Sequence, residues 1–251
     1  MYLNRKARHD IMFINAIKIN SLGTNGEDYV FHIPAIKYIY ENGILSFKKQ
    51  VTFFTGENGT GKSTILEAIA LASGFNAEGG SKNFIFSTNS TESHLYNYLT
   101  LIRNQYPRDG FFLRAESFYN VATNVDTLGI NLDSYGGKSL HAQSHGESFF
   151  SLISNRFHGN GLYILDEPEA ALSASRQLAL IAEIKRLVDD NSQFLIATHS
   201  PILMAYPDAD ILVLSKRGIT MTPYKETDAY LITKNFLDNP ERILHYLFES
   251  K

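Results

Sequence analysis

The stretch Gly56-Glu57-Asn58-Gly59-Thr60-Gly61-Lys62-Ser63 decides how this chain is read, because it matches the phosphate-binding pattern G-x-x-x-x-G-K-[ST] in full. Its flanks are those the motif requires: residues 51–55 read as a buried strand and residues 64–72 as a helix. The glycines let the backbone close around an anion, successive N–H groups converge on phosphate oxygens, and the helix N-terminus adds a favourable dipole. Lys62 is placed to neutralise β- and γ-phosphates, and Ser63 to offer its hydroxyl to Mg2+. The candidate nucleotide-binding set is Gly56, Glu57, Asn58, Gly59, Thr60, Gly61, Lys62, Ser63 and Thr64. An ordinary glycine-rich turn would need neither the Lys nor the Ser at those places.

Further signals lie downstream. Residues 162–165 are four apolar residues followed by Asp166 and Glu167, which reads as a buried strand delivering two acids to one end of a sheet. Beside a phosphate loop, Asp166 suits a Mg2+ held through water, and Glu167 suits proton abstraction from an attacking water. Residues 193–198 form another apolar run and deliver His199. Ser144-His145-Gly146-Glu147 opens an apolar helix to about residue 157. Ser-x-x-Glu before such a run is also a plain capping box, and the two uses of one helix start are compatible.

Composition narrows the class. With 251 residues, 44% hydrophobic and 20% charged, the chain can bury a sizeable core. A net charge of -3 exerts no global pull on nucleic acid, and Arg5, Lys6 and Arg8 crowd a terminus that reads as a frayed tail. The absence of cysteine excludes disulfides and thiolate metal sites. No run approaches the roughly 18 apolar residues of a membrane span, so the expectation is a soluble, cytoplasmic protein.

The rest of the chain reads more coarsely. Residues 11–19, 29–33 and 44–48 are short strand candidates, with a turn at Gly23-Thr24-Asn25-Gly26, and together predict an antiparallel layer beside the nucleotide core. Residues 74–93 and 119–142 are polar and glycine-punctuated, as in loops. Residues 94–103 read as a short helix and residues 111–115 as a buried strand ending near Glu116. A helical stripe runs through Leu178, Ile181, Ala182, Lys185 and Val188. Two strands flank Lys216-Arg217-Gly218, and two helices divided at Asn239-Pro240 close the chain.

These motifs carry a family resemblance. Leu165-Asp166-Glu167-Pro168-Glu169-Ala170-Ala171-Leu172 resembles the Walker B strand and following loop of ABC-type ATPases, and Asn58 within the phosphate loop is typical of them. Ser144-His145-Gly146-Glu147 resembles their signature motif, and Ala197-Thr198-His199-Ser200 their switch-histidine loop, all four in the family's order over residues 56–200. The whole chain is similar to small stand-alone bacterial predicted ATPases of the AAA_21 or ABC-like type. That resemblance implies an α/β P-loop NTPase, an ABC-like head over residues 1–251. It would have a mixed central sheet, an N-terminal antiparallel β layer and an inserted, mostly helical and loop subdomain at about 74–158 that bears the signature.

The resemblance also assigns roles. ATP and Mg2+ are the implied cofactors, with Lys62, Glu167 and His199 catalytic and Ser63 and Asp166 on the metal. Ser144, Gly146 and Glu147 form the signature that reaches, in trans, the nucleotide of a second copy. Three departures stand out: His145 replaces the first signature Gly, Ser173 stands where the family has an Asp, and no Gln follows the strand at 111–113, where Glu116 is the nearest stand-in, as a further metal ligand. Phe31 and Tyr38 are candidates to stack on adenine, though aromatics at such spacing are more often core. The implied activity is ATP hydrolysis by a head-to-tail homodimer that switches conformation, with a further protein partner unidentified. The alternatives are an energy-coupling subunit of an ABC transporter, or a repair or defence ATPase clamping nucleic acid like structural-maintenance heads, though no heptad segment exists for their coiled-coil arms.

Overall fold

The runs around residues 51–55, 162–165 and 193–197 are apolar without alternation, as strands buried on both faces must be. In a computed structural model, which describes residues 12–21, 29–81, 93–118, 123 and 144–249, they become the middle of a six-stranded sheet. The basic cluster at Arg5, Lys6 and Arg8, the turn at Gly23–Gly26, and most of the polar stretches at 74–93 and 119–142 lie outside the described residues.

From the N-terminus, β1 (Ile14–Ile19) precedes a 3-10 turn at Tyr29–His32 and α1 (Pro34–Asn42). Next come β2 (Leu45–Ser46) and β3 (Val51–Gly56), which passes through the phosphate loop into α2 (Lys62–Ala72). A second 3-10 turn, His94–Tyr98, leads to β4 (Leu99–Arg103) and β5 (Asp109–Arg114). After α3 (His145–Arg156) come β6 (Gly161–Asp166), a 3-10 turn at Pro168–Ala171, α4 (Ala174–Asp189) and β7 (Gln193–Ala197). The chain finishes with α5 (Pro201–Met204), the hairpin of β8 (Asp210–Ser215) and β9 (Gly218–Met221), then α6 (Asp228–Asp238) and α7 (Pro240–Glu249).

The central sheet has the order β5-β6-β7-β3-β8-β9, parallel except for β9. Parallel pairing puts the carboxyl ends of β3, β5, β6 and β7 on one edge, where open α/β sheets bind ligands. Alternation along the strands sorts the core. Phe54, Ile164 and Leu195 pack with α2 and the smaller sheet, whereas Phe53, Leu165 and Ile196 pack with Phe149 and Leu152 of α3 and Leu180 of α4. This is the mixed α/β P-loop fold the motifs imply.

Beside it lies the antiparallel layer, ordered β2-β1-β4. The fully buried side-chain amide of Gln193 in β7 joins the two sheets. Its Oε1 accepts from the N–H groups of Phe13 (2.8 Å) and Ile14 (2.9 Å), and its Nε2 donates to the Ile14 carbonyl at 2.8 Å. That amide supplies the backbone at the start of β1 with the partners it would otherwise lose on leaving water.

Three sequence expectations are overturned. Residues 29–33 form a 3-10 turn rather than a strand: Val30 is the buried member, and Pro34 at the helix start commits the chain to α1. The third strand of the layer comes instead from residues 99–103, read as the end of a helix, because Leu99–Arg103 zips onto β1. In α4 the buried residues are Gln177, Leu180, Ile184 and Leu187, while Leu178 is 60% exposed, so the stripe is turned from the expected one by the packing of Gln177 against Ser200. The tail forms the two expected helices, neither of which buries a residue. Among the described residues no helix is long and apolar enough to cross a membrane.

Candidate functional site

The phosphate loop needs backbone conformations that side chains disfavour. Gly56, Gly59 and Gly61 have φ of 135°, 78° and 100°. At Gly56 a Cβ would also sit 2.1 Å from the Leu214 carbonyl oxygen of β8, so strand packing as well as phosphate access demands the glycine. Gly61 is the N-cap of α2 in the left-handed conformation, which leaves the first N–H groups of the helix facing the loop. Thr60 Oγ1 donates to the Glu57 carbonyl at 2.7 Å and braces the curve. Within it Lys62 Nζ donates to the carbonyls of Gly56 (2.9 Å) and Glu57 (3.1 Å). Burial pulls the Lys62 ammonium below its ordinary pKa, opposed by the nearby Glu167, Asp166 and Glu169 carboxylates. Asn58 and Thr64 lie on the loop and in the first turn of α2.

The two residues assigned to the metal meet. Ser63 Oγ donates to Asp166 Oδ1 at 2.9 Å, across 103 positions of chain. Asp166 ends β6 and is 5% exposed. Burial pushes its carboxyl up to about 6, with Arg114 and the Ser63 hydroxyl pulling the other way. The folded-state value lies above the ordinary 3.8, so the protonated carboxyl favours the folded protein at low pH, and this contribution is lost as pH rises through about 6. In EDTA, Asp166→Asn should therefore gain stability relative to the wild type between about pH 4 and about pH 7. Urea denaturation at several pH values reads the difference. A pH-independent gap would contradict the assignment.

Glu167 follows in a left-handed backbone conformation, φ 52° and ψ 50°, pinned by donation of its N–H to the Ala197 carbonyl at 3.0 Å. Such conformations in non-glycine residues concentrate at functional sites. Its Oε1 lies 3.7 Å from His199 Nε2. The His199 N–H in turn donates to Glu169 Oε1 at 2.6 Å, so the loop after β7 is tied to the loop after β6. Ser200 then caps α5 by accepting from Ile202 and Leu203 N–H groups.

At the start of α3, Glu147 Oε2 accepts from the Ser144 N–H (3.1 Å) and hydroxyl (2.7 Å), which is the capping use of this sequence. These bonds lower the Glu147 pKa, and Arg176 of α4 lies 3.3 Å from its other oxygen. Gly146 is closely packed: a Cβ there would be 2.7 Å from Arg176 Nη1 and 2.8 Å from the Ala171 carbonyl oxygen. His145, in place of a glycine, begins an ordinary helix and packs edge-on to Phe118 with ring centroids 5.3 Å apart. Ser173 is the N-cap residue of α4, without a side-chain capping bond.

A cleft of about 350 Å³ at this edge is lined by Ser63, Arg114, Glu116, His145, Asp166 and Glu167. Glu116 borders it with its side chain 89% exposed, 3.8 Å from Arg114. Two of these residues escaped the sequence reading. Arg114 stands opposite Asp166 in the β5–β6 register, and its Nη1 donates to Glu67 of α2 at 2.7 Å. His145 was read only as a departure from the signature pattern; its place after the N-cap of α3, at the carboxyl edge of the sheet, is what brings it into the cleft. Of the aromatic candidates for adenine, Phe31 meets Tyr98 edge-on at 5.1 Å, and Tyr38 fills the space over Gly218.

A family model described as an AAA domain, AAA_23, matches residues 32–195, more than half of the chain. No curated protein matches. Among solved structures, the SMC head domain from Thermotoga maritima is 14% identical, covering 84% of this chain and 99% of that one at a TM-score of 0.44. For cbiO1 from Clostridium perfringens, part of the ABC transporter complex cbiONQ, the identity is 18%, with 93% and 99% covered and a TM-score of 0.48. A nucleotide-free ATP-binding cassette from an ABC transporter gives 16% identity, 92% and 97% coverage and a TM-score of 0.48.

Proposed function

Since this chain belongs to the AAA domain family, we propose that it is a Mg2+-dependent ATPase whose active form is a head-to-tail homodimer. The observation that carries the reading is the 2.9 Å approach of Ser63 Oγ to Asp166 Oδ1 beside a complete phosphate loop. A hydroxyl and a carboxylate are hard oxygen donors, and this pair fits Mg2+, which takes few protein ligands and completes its shell with water and phosphate oxygens. When bound, the cation supplies neutralisation of phosphate charge and orientation of the triphosphate.

The remaining work falls to the chain's own groups. Loop N–H groups from Gly56 to Thr64 and the Lys62 ammonium bind the phosphates. Glu167 accepts the proton of the attacking water, and His199, 3.7 Å away, holds that water or the terminal phosphate. Glu116, at the rim of the cleft, is the candidate further ligand of the metal. Ser144, Gly146 and Glu147, at the exposed start of α3, complete the site of a second copy, whose own signature completes this one. Hydrolysis then releases the pair, and this is the conformational switch. The work coupled to it belongs to a further protein partner.

Phosphate release from ATP and Mg2+, followed over a range of protein concentrations, tests the proposal. Specific activity should rise with concentration as copies pair. A constant specific activity contradicts the dimer, and no release contradicts the ATPase.

A further inference from the structure

Arg114 lines the cleft and has no role in the proposed reaction, and its surroundings are unusual. It ends β5 directly opposite Asp166. Its Nη1 is fixed by Glu67 Oε2 at 2.7 Å, while its buried Nε lies 3.4 Å from Asp166 Oδ2 without completing a hydrogen bond. A buried donor without a partner requires an explanation. Glu67 is anchored in turn: it projects from α2, and its other oxygen accepts from the Ser93 N–H at 3.0 Å. A continuous chain of polar contacts thus runs from Ser93 through Glu67 and Arg114 to Asp166, and from there to Ser63.

We propose that Arg114 is a positioning residue for the metal: clamped by Glu67, it holds Asp166 by Oδ2 so that Oδ1 stays turned towards Ser63 and the cation. Ion pairing holds the carboxylate in one orientation, and the planar fork lets one side chain address two carboxylates at once. The unfilled Nε is the donor that Asp166 can turn to when Oδ1 exchanges the Ser63 hydroxyl for a cation's hydration shell. A lysine carries the charge but lacks the fork, so it cannot span Glu67 and Asp166 in the same way. Partners of this kind, one step removed from a metal ligand, typically contribute 10–100-fold to metal affinity, and that is roughly the loss expected here.

The inference rests on the proposed ATPase site, and the test separates the two. Mn2+ is titrated into protein saturated with ADP, and free Mn2+ is read by electron paramagnetic resonance for the wild type, Arg114→Lys and Glu67→Gln. A fluorescent ADP analogue in EDTA measures nucleotide binding without metal, and circular dichroism checks folding. Arg114→Lys should weaken Mn2+ binding by about 10–100-fold, Glu67→Gln should shift it in the same direction by less, and binding in EDTA should stay unchanged. Glu67→Gln lies outside the cleft and keeps the inference testable if Arg114→Lys folds poorly. Unchanged Mn2+ affinity in both variants overturns the inference. Tighter binding in Arg114→Lys also overturns it, because the guanidinium fork would then hold Asp166 away from the cation rather than towards it. A wild type that holds no Mn2+ with ADP overturns the proposed function itself.

Discussion

Replacing Glu167 by Gln is expected to lower ATP turnover by about 10²–10⁴-fold while leaving nucleotide binding intact. The substitution preserves shape and removes the only feature needed of a base, an acceptor for a proton. It leaves the pinned left-handed backbone at φ 52° in place, since the N–H of residue 167 still donates to the Ala197 carbonyl. It leaves Lys62, Ser63 and Asp166 untouched, so the triphosphate and metal contacts of the proposed site persist. Single-turnover phosphate release, set beside binding of a fluorescent ATP analogue, reads both halves of the expectation. Loss of binding together with turnover would place Glu167 among the structural supports of the loop.

The opposite division is expected for Lys62→Ala. Lys62 is buried within the loop, where its ammonium donates to the carbonyls of Gly56 and Glu57. In the proposed complex that charge faces the phosphates, and losing a charge-assisted contact of this kind costs about 3 kcal/mol, roughly 100-fold in affinity. Without nucleotide the thermal midpoint should move little, because removing a buried ammonium, whose desolvation is costly, offsets the two lost bonds. Titration calorimetry with ATP in Mg2+, paired with thermal melts in buffer alone, checks this. A large drop in the melting temperature with retained ATP affinity would show that Lys62 serves the loop's fold.

How much of this was legible in the sequence depended on range. The phosphate loop, the acids after residue 165 and His199 were readable because each is a local pattern at the end of a local apolar run. The two-helix tail was readable because Asn239-Pro240 interrupts an otherwise helical stretch. Residues 29–33 and 94–103 were misread because short apolar runs do not declare a period, and their state was settled by Pro34 and by pairing with β1. Arg114 looked like the end of a buried strand. Its partners, Glu67 and Asp166, are 47 and 52 positions away (114 − 67 and 166 − 114) and were brought to it by sheet register and by α2, which no local pattern encodes. The rotated face of α4 has the same origin, a buried Gln177 chosen by its bond to Ser200 rather than by hydrophobicity.

The central claim is that this chain carries half of an ATP site and a second copy carries the rest. The most direct test is the molar mass of Glu167→Gln by light scattering with saturating ATP and Mg2+. A species of twice the 28.2 kDa chain is expected, reverting to the single-chain mass in EDTA. A mass that stays at 28.2 kDa with ATP bound would contradict it.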